Sequence, residues 1–188
     1  ILGPQAGRQV HVLRQALEQR RFFLRSGTNV ANVGIAWTEL GPSNIGGRIN
    51  TILTNPTNTQ QLLVGAAGGG LWHSSNGGAS WSSVSDSLGS LAISTLALDS
   101  TTNTIYAGTG DQFDPSRGVG ILASTDGGIT WSVLSSTDPS VNRDWYYVNH
   151  IAINSAGVML VATGVPGAGN WGAIYRSTDG GKTFAKVQ

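Results

Sequence analysis

Ser124-Thr125-Asp126-Gly127-Gly128-Ile129-Thr130-Trp131 is the stretch on which the fold turns. It has two near copies, Ser74-Ser75-Asn76-Gly77-Gly78-Ala79-Ser80-Trp81 and Ser177-Thr178-Asp179-Gly180-Gly181-Lys182-Thr183-Phe184. Asn76 and Asp126 are 50 residues apart, and Asp126 and Asp179 are 53 apart. Each copy has the chemistry of a tight turn. An Asp or Asn side chain accepts from backbone N–H groups a few residues on. Two glycines follow and adopt positive φ without steric cost. The aromatic residue then places a ring at the start of the next strand, where burial is worth about 1.5–3 kcal/mol, more than any single turn hydrogen bond. The three rings, Trp81, Trp131 and Phe184, are therefore expected to be mostly buried, and the acidic residues to be structural.

Working outward from the turns, four short β-rich runs recur around each copy, separated by Gly, Asn, Asp, Ser and Pro. The first set is Ile49–Thr54, Gln61–Ala67, Gly70–Ser74 and Ser80–Val84. The second is Ile93–Asp99, Thr104–Thr109, Gly120–Ser124 and Thr130–Leu134. The third is Val148–Asn154, Val158–Gly164, Ala173–Ser177 and Thr183–Val187. A four-strand unit at a period of about 40–50 residues is the signature of propeller blades. The expected fold is all-β: a partial β-propeller of three four-stranded blades, over 43–87, 88–140 and 141–188, with a lone strand at 34–42.

Residues 1–33 read differently, as a helical segment and linker. Val10, Leu13, Leu17 and Leu24 fall on one face of an amphipathic α-helix spanning Gln9 to Arg25, and Ser26-Gly27 suits its end. Residues 1–27 carry five Arg against Glu18, a balance of +4, whereas the remainder carries six basic and nine acidic groups, a balance of −3. The whole chain has net charge +1, too little for nucleic-acid binding by bulk electrostatics. Cysteine is absent, which excludes disulfides, thiolate zinc sites and cysteine nucleophiles. No apolar run reaches the roughly 18 residues of a membrane helix. The chain opens at Ile1 rather than Met, as expected of a processed chain or an excised piece.

The pattern S-x-D-x-G-x-[ST]-[WF] resembles the Asp box of the BNR-repeat families, which include bacterial sialidases, sortilin-type receptors, xyloglucanase-like glycoside hydrolases and photosystem assembly factors. Ser74, Asn76, Gly78, Ser80 and Trp81 occupy it in the first copy. Ser124, Asp126, Gly128, Thr130 and Trp131 do so in the second, and Ser177, Asp179, Gly181, Thr183 and Phe184 in the third. Trp37-Thr38-Glu39-Leu40-Gly41-Pro42, Gly46-Gly47-Arg48-Ile49 and Gly68-Gly69-Gly70-Leu71-Trp72 are most similar to secreted bacterial proteins of the xyloglucanase and sortilin-like group. The resemblance implies an extracellular or cell-surface location and a propeller. It leaves enzyme, receptor and scaffold all open.

The chemistry is sparse. Asp111 and Asp114 lie three apart in the most loop-like stretch and are weak calcium candidates, the alternative being a solvated loop with one Asp paired to Arg117. Arg48 only partly echoes a sialidase arginine motif and reads as a structural or subunit contact. His11, His73 and His150 form no ligand pair, and no triad, nucleophile elbow or P-loop occurs. Trp145, Tyr146, Tyr147 and Trp171 are the candidate rings for sugar stacking or an interface, with a purely packed role for each as the open alternative. No catalytic residue and no cofactor is assigned. The leading expectation is a non-catalytic structural or interaction protein that self-associates or completes a larger propeller. The alternatives are a piece of a secreted glycoside hydrolase acting on polysaccharide, and a receptor-like binding module. Three blades cannot close a ring, so apolar end faces must be covered.

Overall fold

A computed structural model describes residues 48–113, 116–164 and 172–187 of the chain. The expected N-terminal helix, the lone strand at 34–42, Asp114 and Trp171 lie outside the described residues.

Twelve strands form three four-stranded antiparallel sheets, each in sequence order. Blade 1 is β1 (Ile49–Thr54), β2 (Leu62–Ala66), β3 (Gly70–Ser74) and β4 (Ser82–Ser83). Blade 2 is β5 (Ile93–Asp99), β6 (Thr104–Thr109), β7 (Ile121–Ser124) and β8 (Ser132–Val133). Blade 3 is β9 (Val148–Ile153), β10 (Met159–Thr163), β11 (Ala173–Ser177) and β12 (Ala185–Lys186). The outermost strands are shorter than the sequence suggests, because only two residue pairs join each to its neighbour before the chain leaves the sheet. Two 3-10 helices, Ser135–Thr137 and Arg143–Tyr146, connect blade 2 to blade 3.

The register makes positions interchangeable between blades. Ile52 opposes Val64, Leu96 opposes Ala107 and Ile151 opposes Val161. Leu53 opposes Leu63, Ala97 opposes Tyr106 and Ala152 opposes Leu160. Side chains alternate between faces with period two, so one set from each sheet points toward the following blade and the other toward the preceding one.

The apolar core lies in the seams between sheets. Leu63 and Leu71 of blade 1 pack with Leu96, Ile105, Ala107 and Leu122 of blade 2. Ala97, Tyr106 and Ile121 of blade 2 pack with Ile151, Met159, Val161 and Tyr175 of blade 3. Adjacent residues of β5, β6 and β7 thus serve opposite seams. The inner strands β1, β5 and β9 are neighbours, and the second strand of one blade packs on the first strand of the next.

Candidate functional site

The three turns share one hydrogen-bond scheme. Ser74, Ser124 and Ser177 are buried, and each hydroxyl accepts from the N–H of the second glycine, Gly78, Gly128 or Gly181, at 2.9 Å. The same hydroxyls donate to Asn76, Asp126 and Asp179 at 2.7–2.9 Å. Asp126 also accepts from Ile129 N and Thr130 N, both at 3.0 Å, and from the Thr130 hydroxyl at 2.5 Å. Asp179 takes Thr183 N at 3.0 Å and its hydroxyl at 2.6 Å. In the first copy Asn76 accepts from Ser80 N and donates to Ser80 Oγ. The Thr183 hydroxyl, then its N–H, then Ser177 hold the Asp179 carboxyl at about 2, and the same donors around Asp126 hold it below the usual carboxylate range. Acceptor sites this well occupied serve the turn.

The terminal rings Trp81, Trp131 and Phe184 all lie between the buried and the exposed residues. Trp131 donates its indole N–H to Gly128 O at 3.0 Å and packs into the first seam. Phe184 packs on Trp145 in the second, with ring centroids 5.0 Å apart.

Of the two readings left open for Trp145 and Tyr147, the structure shows the packed one. Trp145 is 2% exposed and lies 4.6 Å from the Tyr175 ring, and Tyr147 is buried. Tyr146 is half-buried beneath the Arg117 guanidinium, 5.0 Å from its ring centroid. The partner of Asp111 is Arg48, 63 residues away in sequence. Asp111 is 5% exposed, and its second oxygen accepts from Phe113 N at 2.9 Å. Both carboxylate oxygens are thus engaged. Among the described residues no group of three His, Cys, Asp or Glu is placed to hold a metal ion.

Arg48 and Asp111 line an open cavity of about 330 Å³, with Asn50, Ser94, Gln112, Phe113 and Asn149. Asn50, Ser94 and Asn149 come from equivalent positions on the three inner strands. The first two bridge the seams: Asn50 donates to Ile93 O at 2.9 Å, and Ser94 donates to Val148 O. Asn149 donates to Gln112 Oε1 at 3.2 Å. The cavity is lined by amides and an internally neutralised ion pair, with Phe113, 81% exposed, at its rim.

Two features escaped the sequence reading, one of them repeated in every blade. Asn55, Asp99 and Asn154 end the inner strands and accept from Thr57 N, Thr101 N and Ala156 N at 2.8–3.0 Å. Their common position after each first run was the available signal. His73 is buried in the first seam, its Nε2 has no hydrogen-bond partner among the described residues, and burial lowers its pKa, so the ring stays neutral. Nothing local to Trp72-His73-Ser74 marks it.

The family model of the BNR/Asp-box repeat matches residues 122–133, from Leu122 on β7 through the second turn to Val133 on β8. The sheets have the fold of β-propeller blades, and the second carries the matched repeat. Solved structures with the same fold include a GH74 enzyme from Niastella koreensis, with TM-score 0.57 and 22% identity over 73% of this chain and 21% of that one. A GH74 xyloglucanase from Xanthomonas campestris gives 0.56 and 19%, over 76% of this chain and 22% of that one. YCF48 from Cyanidioschyzon merolae gives 0.56 and 17%, over 81% and 40%. The chain thus spans about a fifth of the two GH74 enzymes. No curated protein sequence matches it. Likeness at this identity gives the fold, and function rests on the residues. Among the described residues no helix of the Asp-box blades is long and apolar enough to cross a membrane.

Proposed function

We propose that the chain is a non-catalytic structural or interaction protein, extracellular or on the cell surface, whose Asp-box blades self-assemble or complete a larger propeller. One observation carries this reading. Ala97, Tyr106 and Ile121 are buried in the second seam, whereas their counterparts on blade 3, Ala152, Leu160 and Ile174, are exposed. The fold thus repeats the seam-forming face on blade 3. Asp111, the described carboxylate that lines the cavity, is spent on Arg48 and Phe113 N. No cofactor enters this reading.

The test is turnover. Incubated with xyloglucan, other β-glucans and aryl-glycosides, the purified chain is expected to release no reducing ends. The amide-lined cavity favours one second reading, a piece of a secreted glycoside hydrolase that contributes sugar contacts through Gln112, Asn149 and Phe113. Hydrolysis abolished by Asp111→Asn would establish that alternative.

A further inference from the structure

We propose that His73 makes the seam between blades 1 and 2 an acid-sensitive joint: in mildly acidic solution its ring takes up a proton that the packed seam cannot accommodate, and blade 1 loosens from blade 2. The proposal goes beyond the assembling reading above and does not depend on it.

Register places the ring. His73 precedes the turn serine on β3, opposite Leu63 on β2 and Ser82 on β4. The same position is Ala123 on β7, opposite Tyr106, and Arg176 on β11, opposite Leu160. Arg176 is exposed, and Ala123 packs against the second seam. His73 is 8% exposed. Of the two seams, the first therefore encloses a titratable side chain at this position and the second an alanine.

The ring borders a pocket of about 30 Å³ that straddles the seam, between Leu53, Leu62 and Leu63 of blade 1 and Leu98 and Ile105 of blade 2. That volume admits about one or two water molecules, too few to hydrate an imidazolium. Nε2 is buried without a hydrogen-bond partner among the described residues. A neutral ring can leave Nε2 as an acceptor for a water, whereas a protonated ring must donate from both nitrogens and carry a full charge. The amide oxygens beside the pocket are already engaged. Asn55 Oδ1 accepts from Thr57 N at 2.9 Å and Asn58 N at 3.3 Å, and Gln61 Oε1 accepts from the Asn55 amide at 2.7 Å.

No acid is among the residues lining the pocket. Strands β1 to β4 carry no acid or base besides His73. On blade 2, Asp99 follows Leu98 and accepts from Thr101 and Thr102. Asp126 precedes Gly127 and accepts from Ser124, Ile129 and Thr130. Tyr106, beside Ile105, packs in the second seam. Burial thus acts on His73 and lowers its proton affinity. As pH falls, the unfolded or opened ring, near 6.5, is protonated before the packed one. The stability that the neutral ring contributes is complete above about pH 7.5 and is lost as pH drops through 6.5. A ring held neutral in the closed seam lowers the closed-to-open ratio by as much as about 30-fold between about pH 8 and about pH 5.

The test uses the whole chain, as wild type and as His73→Gln, whose amide stays uncharged. Hydrogen exchange, corrected for the intrinsic effect of pH, is compared at about pH 8 and about pH 5. The amides of β2 and β3 are expected to lose as much as about 30-fold in protection, while those of β10 and β11 hold theirs. His73→Gln is expected to abolish the loss. Equal losses in blades 1 and 3, a change below about twofold at β2 and β3, or a loss that persists in His73→Gln would overturn the proposal. Where that variant fails to fold, NMR of the wild-type ring decides: a His73 side chain still neutral at about pH 5.5 in the folded chain supports the joint, and one that titrates near 6.5 overturns it.

Discussion

Ile121 and Ile174 occupy the same position in successive blades, so truncating each to alanine compares a covered seam with an open face. Ile→Ala removes three carbons. At about 0.8 kcal/mol per buried CH₂, the Ile121 change loses roughly 2.4 kcal/mol of transfer energy. A residual cavity raises the total to about 2–5 kcal/mol, since Ile121 is fully buried between Ala97, Tyr106 and the third blade. Ile174 is 36% exposed, and the space it leaves opens to water rather than forming a void. Its loss is expected to be about 1 kcal/mol in dilute, unassembled protein. Urea unfolding followed by tryptophan fluorescence measures both, with an unchanged m-value establishing that only stability moved. A cost below about 1 kcal/mol for Ile121→Ala, or equal costs at the two sites in the monomer, would refute the placement of the core in the seams.

Three further outcomes are expected. Gly128→Ala should destabilise by more than about 1 kcal/mol, because φ is 91° and a Cβ would meet Leu63 Cδ1 at 3.1 Å; the unfolding midpoint in urea measures it. The Asp179 carboxyl sits at about 2 and Asp126 below its usual range, so the unfolded chain takes up protons first as pH falls. Their stabilisation is complete above about pH 4 and is lost toward pH 2, modestly because both are solvent-screened, and Asp126→Asn should flatten part of that loss in unfolding curves run from pH 2 to 7. Arg48→Ala leaves Asp111 buried without its cationic partner, and differential scanning calorimetry should register a loss of about 1–3 kcal/mol.

Most of the blade architecture was legible because its information is local. The Ser-x-Asp-Gly-Gly turns specify positive φ and an acceptor within eight residues, and alternating apolar residues mark the strands that flank them. The outer strands were read too long because their ends depend on where the rim leaves the sheet. The candidate site was far less legible. Arg48 meets Asp111 across 63 positions, and the sequence offered only the nearer Arg117. Trp145 and Tyr147 looked available because their neighbours Arg143 and Asp144 are polar. Trp145 is covered by Tyr175 and Phe184, which lie 30 and 39 positions further along the chain. Burial in a seam depends on the neighbouring blade, which no window of a single strand contains.

Seams that repeat in register have a consequence for how such a chain changes length. Lengthening the arc by a duplicated blade inserts one sheet and one more seam of the same composition, and every existing seam keeps its partners. Deleting the last blade uncovers one face and disturbs nothing upstream, as in other linear arrays with nearest-neighbour coupling. Only a middle deletion requires the two flanking faces to meet anew, and here they would be compatible: Leu63 and Leu71 would confront Ile151, Met159 and Val161. Blade number is accordingly a tolerant variable of this architecture, and selection on it acts through whether the two ends find a cover.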